Sequence, residues 1–330
     1  MAQMTQIETV DRVAAVVIFL TSLVGVVINV FIAVYIRRIS VLKNSFGRLL
    51  QLQAVGDAIF EVVWCFYFAP TLFLNITLLQ ELWLASRLAQ LCLICYDISI
   101  YTHLIISFNR FICLYFPTKY ARVFTDRFTN MLVVGIILIS TGFSFFLVSE
   151  DCVMEFSAQM WMLDYRIPPC DIRYVYWAEF FRGLVVISLF AVINSLTFIR
   201  MNYINRKKKD AHKNETAQQQ KRRKMEKAFV QQVTIQGFIY VAELITYFGI
   251  APNQFPIEDR STIQSNPNRW PNFILTTYAW ILVHTLDGVV TLCFNRQFRQ
   301  AVAHPFRSKV KATVSNDQAS RSHVLSHVVQ

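Results

Sequence analysis

Seven long apolar runs, separated by stretches that collect most of the charge, set the pattern of this chain. They fall at about residues 13–36, 49–74, 86–113, 130–148, 174–199, 228–250 and 273–294. The first carries no charge over 24 residues. As a helix it extends roughly 36 Å, enough for a hydrocarbon core of about 30 Å. That is too long for the apolar core of a signal peptide, and no small-residue cleavage site follows it, so it reads as a retained span. The pattern predicts an all-α membrane protein, a seven-transmembrane helix bundle. Residues 1–12 form a short N-terminal segment, 13–300 the bundle, and 301–330 a disordered Ser/His/Val-rich tail.

Composition agrees. The 330 residues are 55% apolar and 16% charged, against about 25% charged for a soluble domain, and mean hydropathy is +0.39. A formal charge of +11 would suit nucleic acid on a folded soluble face, but here the basic residues lie between apolar runs. The partner they imply is a lipid bilayer, not nucleic acid. Of 32 Lys and Arg, 25 fall in alternate loops, the tail and the adjoining span ends, on one side of the bundle. Basic residues stay cytoplasmic. The N-terminus is therefore expected outside, the C-terminus cytoplasmic, and the protein a multi-pass component of the plasma membrane. The densest cluster, residues 200–227, also fits simple solvation or attraction to anionic headgroups.

Seven cysteines show no zinc-ligand spacing, and Cys92 and Cys95 sit within an apolar run, where they read as packing. No cofactor is expected. Cys152 and Cys170 bracket an outer loop and are expected to pair. Closing a loop of about 18 residues contributes roughly 3 kcal/mol by chain entropy. Asn75-Ile76-Thr77 is a glycosylation sequon on the same side, so Asn75 is an expected glycan site.

The candidate chemistry is the polar residues inside the spans. Asp57 and Glu61 are four apart and share one helix face. They fit an ion site and a polar helix-packing contact equally. Asp97, Ser99 and His103 lie in the third run, Glu243 in the sixth, and His284 and Asp287 in the seventh. Glu179 and Arg182, in the fifth, are spaced to pair with each other. Arg110 closes the third run, with Pro117 seven residues later ending the helix. Its guanidinium must face water or the bundle interior, or snorkel to the interface. The carboxylates also suit a transporter or channel, although no inverted repeat or pair of Gly/Pro-broken helices is visible. An intramembrane enzyme using His103 and His284 would need ligand spacing such as HExxH, which is absent.

Seven spans with Asn109-Arg110-Phe111, Pro117 and Tyr120 at the inner end of span three resemble the rhodopsin-like G-protein-coupled receptors. Gly25 and Asn29 match that family's first-span asparagine region. Asp57 and Ser99 match its sodium pocket, and Phe298-Arg299 the start of its eighth helix. Asn44 to Gly47, Ile94 to Arg110, Phe229 with Gln231-Gln232, and Trp280 to Gly288 are more closely similar to nematode serpentine receptors of class X, a chemoreceptor family. This resemblance covers residues 13 to about 300. It implies a receptor, not an enzyme, that binds an extracellular small molecule and signals to a heterotrimeric G protein. Asn109, Arg110, Phe111, Pro117 and Tyr120 would face that G protein. Asn29, Asp57, Ser99 and Asp287 would form the bundle's polar core. Tyr101, Glu179, Glu243 and Tyr278 are the candidate pocket polars.

There are departures from the wider family. Asn109 replaces its usual acid, leaving Glu226 as the nearest candidate partner for Arg110 in sequence. Asp287-Gly288-Val289-Val290-Thr291 replaces Asn-Pro-x-x-Tyr. Span six lacks Trp-x-Pro, and Ala85 stands where a disulfide cysteine is usual.

Overall fold

The computed structural model describes residues 2–39, 42–76, 83–147, 154–158, 160–165, 172–210, 217–250 and 269–303. Among them, seven helices are long and apolar enough to cross a membrane: Thr9–Arg38, Ser45–Phe73, Trp83–Tyr115, Asp126–Phe145, Ala178–Ile204, Lys227–Tyr247 and Trp270–Phe294. They are called spans one to seven below. Spans two, three and seven are 67%, 61% and 56% buried over their apolar windows, whereas span four is only 22% buried. Spans two, three and seven therefore form the centre, and span four leans on the outside. Its exposed Met131, Leu138 and Ile139 are apolar, as a lipid-facing surface requires.

Local chemistry explains several boundaries. Asn44 caps span two, its side-chain oxygen accepting the Gly47 N–H at 3.0 Å, so this helix starts at Ser45, before the apolar run. Its far end closes at Asn75, which is exposed and left-handed (φ 51°). There the Ile76 N–H reaches back to the Thr71 carbonyl at 3.2 Å. Span three stops at Tyr115, one residue before Phe116 and Pro117. The proline then opens a second, short helix, Pro117–Val123. The first helix begins at Ala2. It reaches past the apolar run because nothing in 2–12 breaks it.

A two-stranded antiparallel hairpin lies between spans four and five, β1 (Met154–Ser157) and β2 (Met162–Tyr165), with Phe156 opposite Leu163. Met154, Phe156 and Leu163 alternate inward, so the hairpin buries one face on the end of the bundle. Phe156 packs on Trp64 and Phe68, and Trp161 on Trp270 and Phe273. Asp11 anchors it, accepting from the Trp161 indole at 2.8 Å and pairing with Arg269 at 2.9 Å. Among the described residues, three π-helical turns sit toward this same end: Trp64–Phe68 of span two, Ile245–Ile250 at the end of span six and Ile274–Tyr278 of span seven. Such turns widen a helix and are frequent at functional sites.

Candidate functional site

Four stripes of polar residues at helical spacing face one another in the middle of the bundle. Span two supplies Gln53, Asp57 and Glu61; span three Ser99, His103 and Ser107; span six Gln232, Gln236 and Tyr240; span seven His284, Asp287 and Thr291. All twelve are buried. Asp57 Oδ1 accepts from Ser99 Oγ at 2.9 Å and lies 2.7 Å from His284 Nδ1. Asp287 Oδ2 accepts from Gln53 Nε2 at 3.0 Å and lies 2.8 Å from His103 Nε2. The Tyr240 hydroxyl lies 3.0 Å from Asp287 Oδ2 and 2.8 Å from Ser99 Oγ, joining the two halves. Each of these two aspartates thus faces an imidazole. The Asp57–Ser99 pair, where the resemblance places a sodium pocket, is bonded to His284.

Span one closes this core through two close approaches. Asn29 donates to the His284 carbonyl at 3.2 Å, and a Cβ on Gly288 would stand 2.6 Å from the Asn29 side-chain oxygen. A Cβ on Gly25 would stand 2.7 Å from the Glu61 carboxyl, which accepts from Thr285 Oγ1 at 2.7 Å. Glycine at both positions lets the helices meet at that distance.

At one end of the bundle lies Arg110. Its guanidinium carbon sits 3.7 Å from the centre of the Phe46 ring and 4.6 Å from that of Phe229, whose rings are 5.1 Å apart. Asn109 is fully buried and shares hydrogen bonds of 3.3–3.4 Å with the Tyr120 hydroxyl. Burial pushes that phenol above its usual range, partly offset by the Asn109 bond, so it stays a neutral donor. Phe111 stacks on Tyr115. Ser45 holds the Phe124 carbonyl, and Arg48 pairs with Asp126 at 3.0 Å, tying the segment after Pro117 to span two. The side chain of Glu226 and all of Cys152 and Cys170 lie outside the described residues.

At the opposite end, a cavity of about 510 Å³, including the open space at its mouth, is lined by Tyr96, Glu179, Arg182, Glu243, Tyr247 and Trp280, with apolar walls from Leu93, Leu163 and Leu244. Glu179 and Glu243 of the expected pocket polars reach it; Tyr101 and Tyr278 are not among its lining. Arg182 is hydrogen-bonded to Asp97 of span three and lies 4.0 Å over Phe143. Arg182 thus pairs with Asp97, a partner 85 residues away that helical spacing did not offer. The Tyr96 hydroxyl donates to Glu243 Oε2 at 3.0 Å.

Cavity and Arg110 are joined by one face of span six. Glu243, Tyr240, Gln236, Gln232 and Phe229 follow at helical spacings of three and four. Glu243 lines the cavity, and Tyr240 touches the polar core. Gln236 donates to the Asp287 carbonyl at 3.1 Å and Gln232 to Thr291 Oγ1 at 2.9 Å, while Phe229 lies under Arg110. A parallel route runs from Trp280 through Phe60 to His284, with ring centres 5.2 and 4.0 Å apart.

Comparison with known proteins agrees with this architecture. The fold matches that of squid rhodopsin with a TM-score of 0.73 at 12% identity, covering 96% of this chain and 91% of that one. Serpentine receptor class X 45 of Caenorhabditis elegans is 60% identical over 318 residues, 96% of this chain and 88% of that protein. Serpentine receptor class X-43 of the same organism is 22% identical over 292 residues, 88% of this chain and 86% of that protein. Residues 19–295 match the family model described as serpentine type 7TM GPCR chemoreceptor Srx. The chain belongs to the Srx family of seven-transmembrane chemoreceptors, a class of G-protein-coupled receptors.

Proposed function

We propose that the chain sits in the plasma membrane, takes a small molecule into the Glu243 cavity from outside, and signals to a heterotrimeric G protein through Asn109, Arg110, Phe111, Pro117 and Tyr120. The observation that supports this is the single face of span six. A ligand contacting Glu243 and a partner contacting the Arg110 end both act on that helix. A ligand shifts such an equilibrium only by binding its two packings unequally. Small rotations of span six would change the Phe229–Arg110 contact directly. The polar core of Asn29, Asp57, Ser99 and Asp287 sits between and holds the helices in register. The test is nucleotide exchange on a G protein α subunit in membranes bearing the chain, with and without a small-molecule library. Library members that accelerate exchange only when the chain is present support the reading. Members that bind the purified chain and leave exchange unchanged with every α subunit tested contradict it.

The orientation in this proposal, N-terminus outside and Arg110 end inside, rests on the 25 basic residues gathered on one side. It makes Asn75 lumenal and Asn214 cytoplasmic. Glycosidase-sensitive mass is expected in the wild type, to vanish in Asn75→Gln and to persist in Asn214→Gln. The reverse pattern would invert the topology. On the same outer side a Cys152–Cys170 disulfide is expected. Mass spectrometry of non-reduced surface protein should show the two peptides linked, and alkylation of either cysteine would refute it.

A further inference from the structure

The cavity has a definite electrostatic character. Glu243 is 5% exposed. Its Oε2 takes the Tyr96 hydroxyl, while among the described residues Oε1 accepts no hydrogen bond, on a side chain that lines the cavity. Around it stand Glu179, also on the lining, and Asp97, which holds Arg182. Among the described residues, three carboxylates face one guanidinium, and that guanidinium is engaged by Asp97 and the Phe143 ring. Tyr96, Tyr247 and Trp280 supply aromatic faces beside these acids. Arg269 pairs with Asp11 and lies over the Trp161 ring, and it is not among the cavity's lining residues.

We propose that this cavity is built for a small ligand carrying a positively charged nitrogen, an amine or a guanidine on an apolar skeleton, with the nitrogen bonded to Glu243 Oε1. An ionisable side chain within a membrane span is costly unless it meets a partner or serves a site. Here the group left without a bond is an acceptor, so its complement is a donor, and the surplus negative charge selects a cationic one. Aromatic faces within reach of the same nitrogen add cation–π attraction. Leu93, Leu163 and Leu244 fit an alkyl or aryl body. The proposal rests on the receptor reading above for its location.

The test uses the full chain, purified in lipid nanodiscs, as wild type and Glu243→Gln. Glutamine keeps an oxygen for the Tyr96 hydroxyl, so the variant should fold with similar unliganded thermal stability. The probes are matched sets of amine, alcohol and carboxylate on shared skeletons: 2-phenylethylamine, 2-phenylethanol and phenylacetate, and the n-alkyl counterparts from butyl to decyl. Amines are expected to bind in preference to their alcohols and carboxylates and to lose ~10- to 100-fold in affinity in Glu243→Gln, the range for one charge-assisted hydrogen bond. Preference for the alcohols or carboxylates, amine affinity unchanged in Glu243→Gln, or no binding by any set would overturn it. Amines that bind through Glu243 without accelerating nucleotide exchange would count against the receptor reading alone. Exchange driven by the alcohols or carboxylates would count against the cation site alone.

Discussion

Asp287→Ala should leave little folded protein. One carboxylate oxygen holds Gln53, His103 and Tyr240 together, contacts contributed by spans two, three and six. Alanine would strand all three polar groups in an interior that water does not reach. Each buried polar group left without its partner costs about 1–3 kcal/mol, and here three would be left. Asp287→Asn keeps an acceptor and should cost only about 1–2 kcal/mol, the range for a weakened hydrogen bond. Thermal unfolding of the purified variants, read with surface yield, checks the order. Equally small losses in the two variants would mean that Asp287 does not organise the core.

The largest functional effect is expected from Arg110→Ala, which should reduce G-protein nucleotide exchange to the level of membranes lacking the receptor, at unchanged surface expression. The substitution removes the cation at the proposed coupling end, where it rests between Phe46 and Phe229. Stability should suffer less than in Asp287→Ala, because Arg110 is only partly buried. The two rings restrain the resting arginine by about 0.5–2 kcal/mol each. Phe229→Leu should therefore raise basal exchange, by roughly 2- to 30-fold if the lost ring contact acts in full on the equilibrium. Normal signalling by Arg110→Ala would reduce the arginine to a packed interfacial cation with no coupling role.

Membrane class and number of spans were legible in the chain because hydropathy is a local property, summed over one helix at a time. The stop before Pro117 was legible for the same reason, since proline acts on its own neighbours. The family resemblance brought Asp57, Ser99, Asp287 and Asn29 to one region, and the fold sets them within a single network. The partners that complete that network were not legible. His284 meets Asp57 across 227 positions, and Gln53 meets Asp287 across 234. Spacing within one helix shows which residues share a face and says nothing of which helix that face will meet. Arg182 shows the difference: helical spacing offered Glu179, and nothing in that spacing pointed to the further bond with Asp97 on span three. Two other features carried signals that were readable. Asn44, three residues before Gly47, is a helix cap, and the alternation of Met154, Glu155, Phe156 and Ser157 is that of a strand with one face buried. The π-helical turns had no such signal.

The most direct test of the receptor account is to reconstitute the full chain in lipid vesicles and to record nucleotide exchange on added G protein and ion flux across the vesicle in the same preparation. Ligand-dependent exchange that disappears in Arg110→Ala, with no flux above protein-free vesicles, is the predicted result. Ligand-dependent flux that persists in Arg110→Ala and falls in Asp57→Asn, with no exchange, would contradict the account and make the buried carboxylates an ion path.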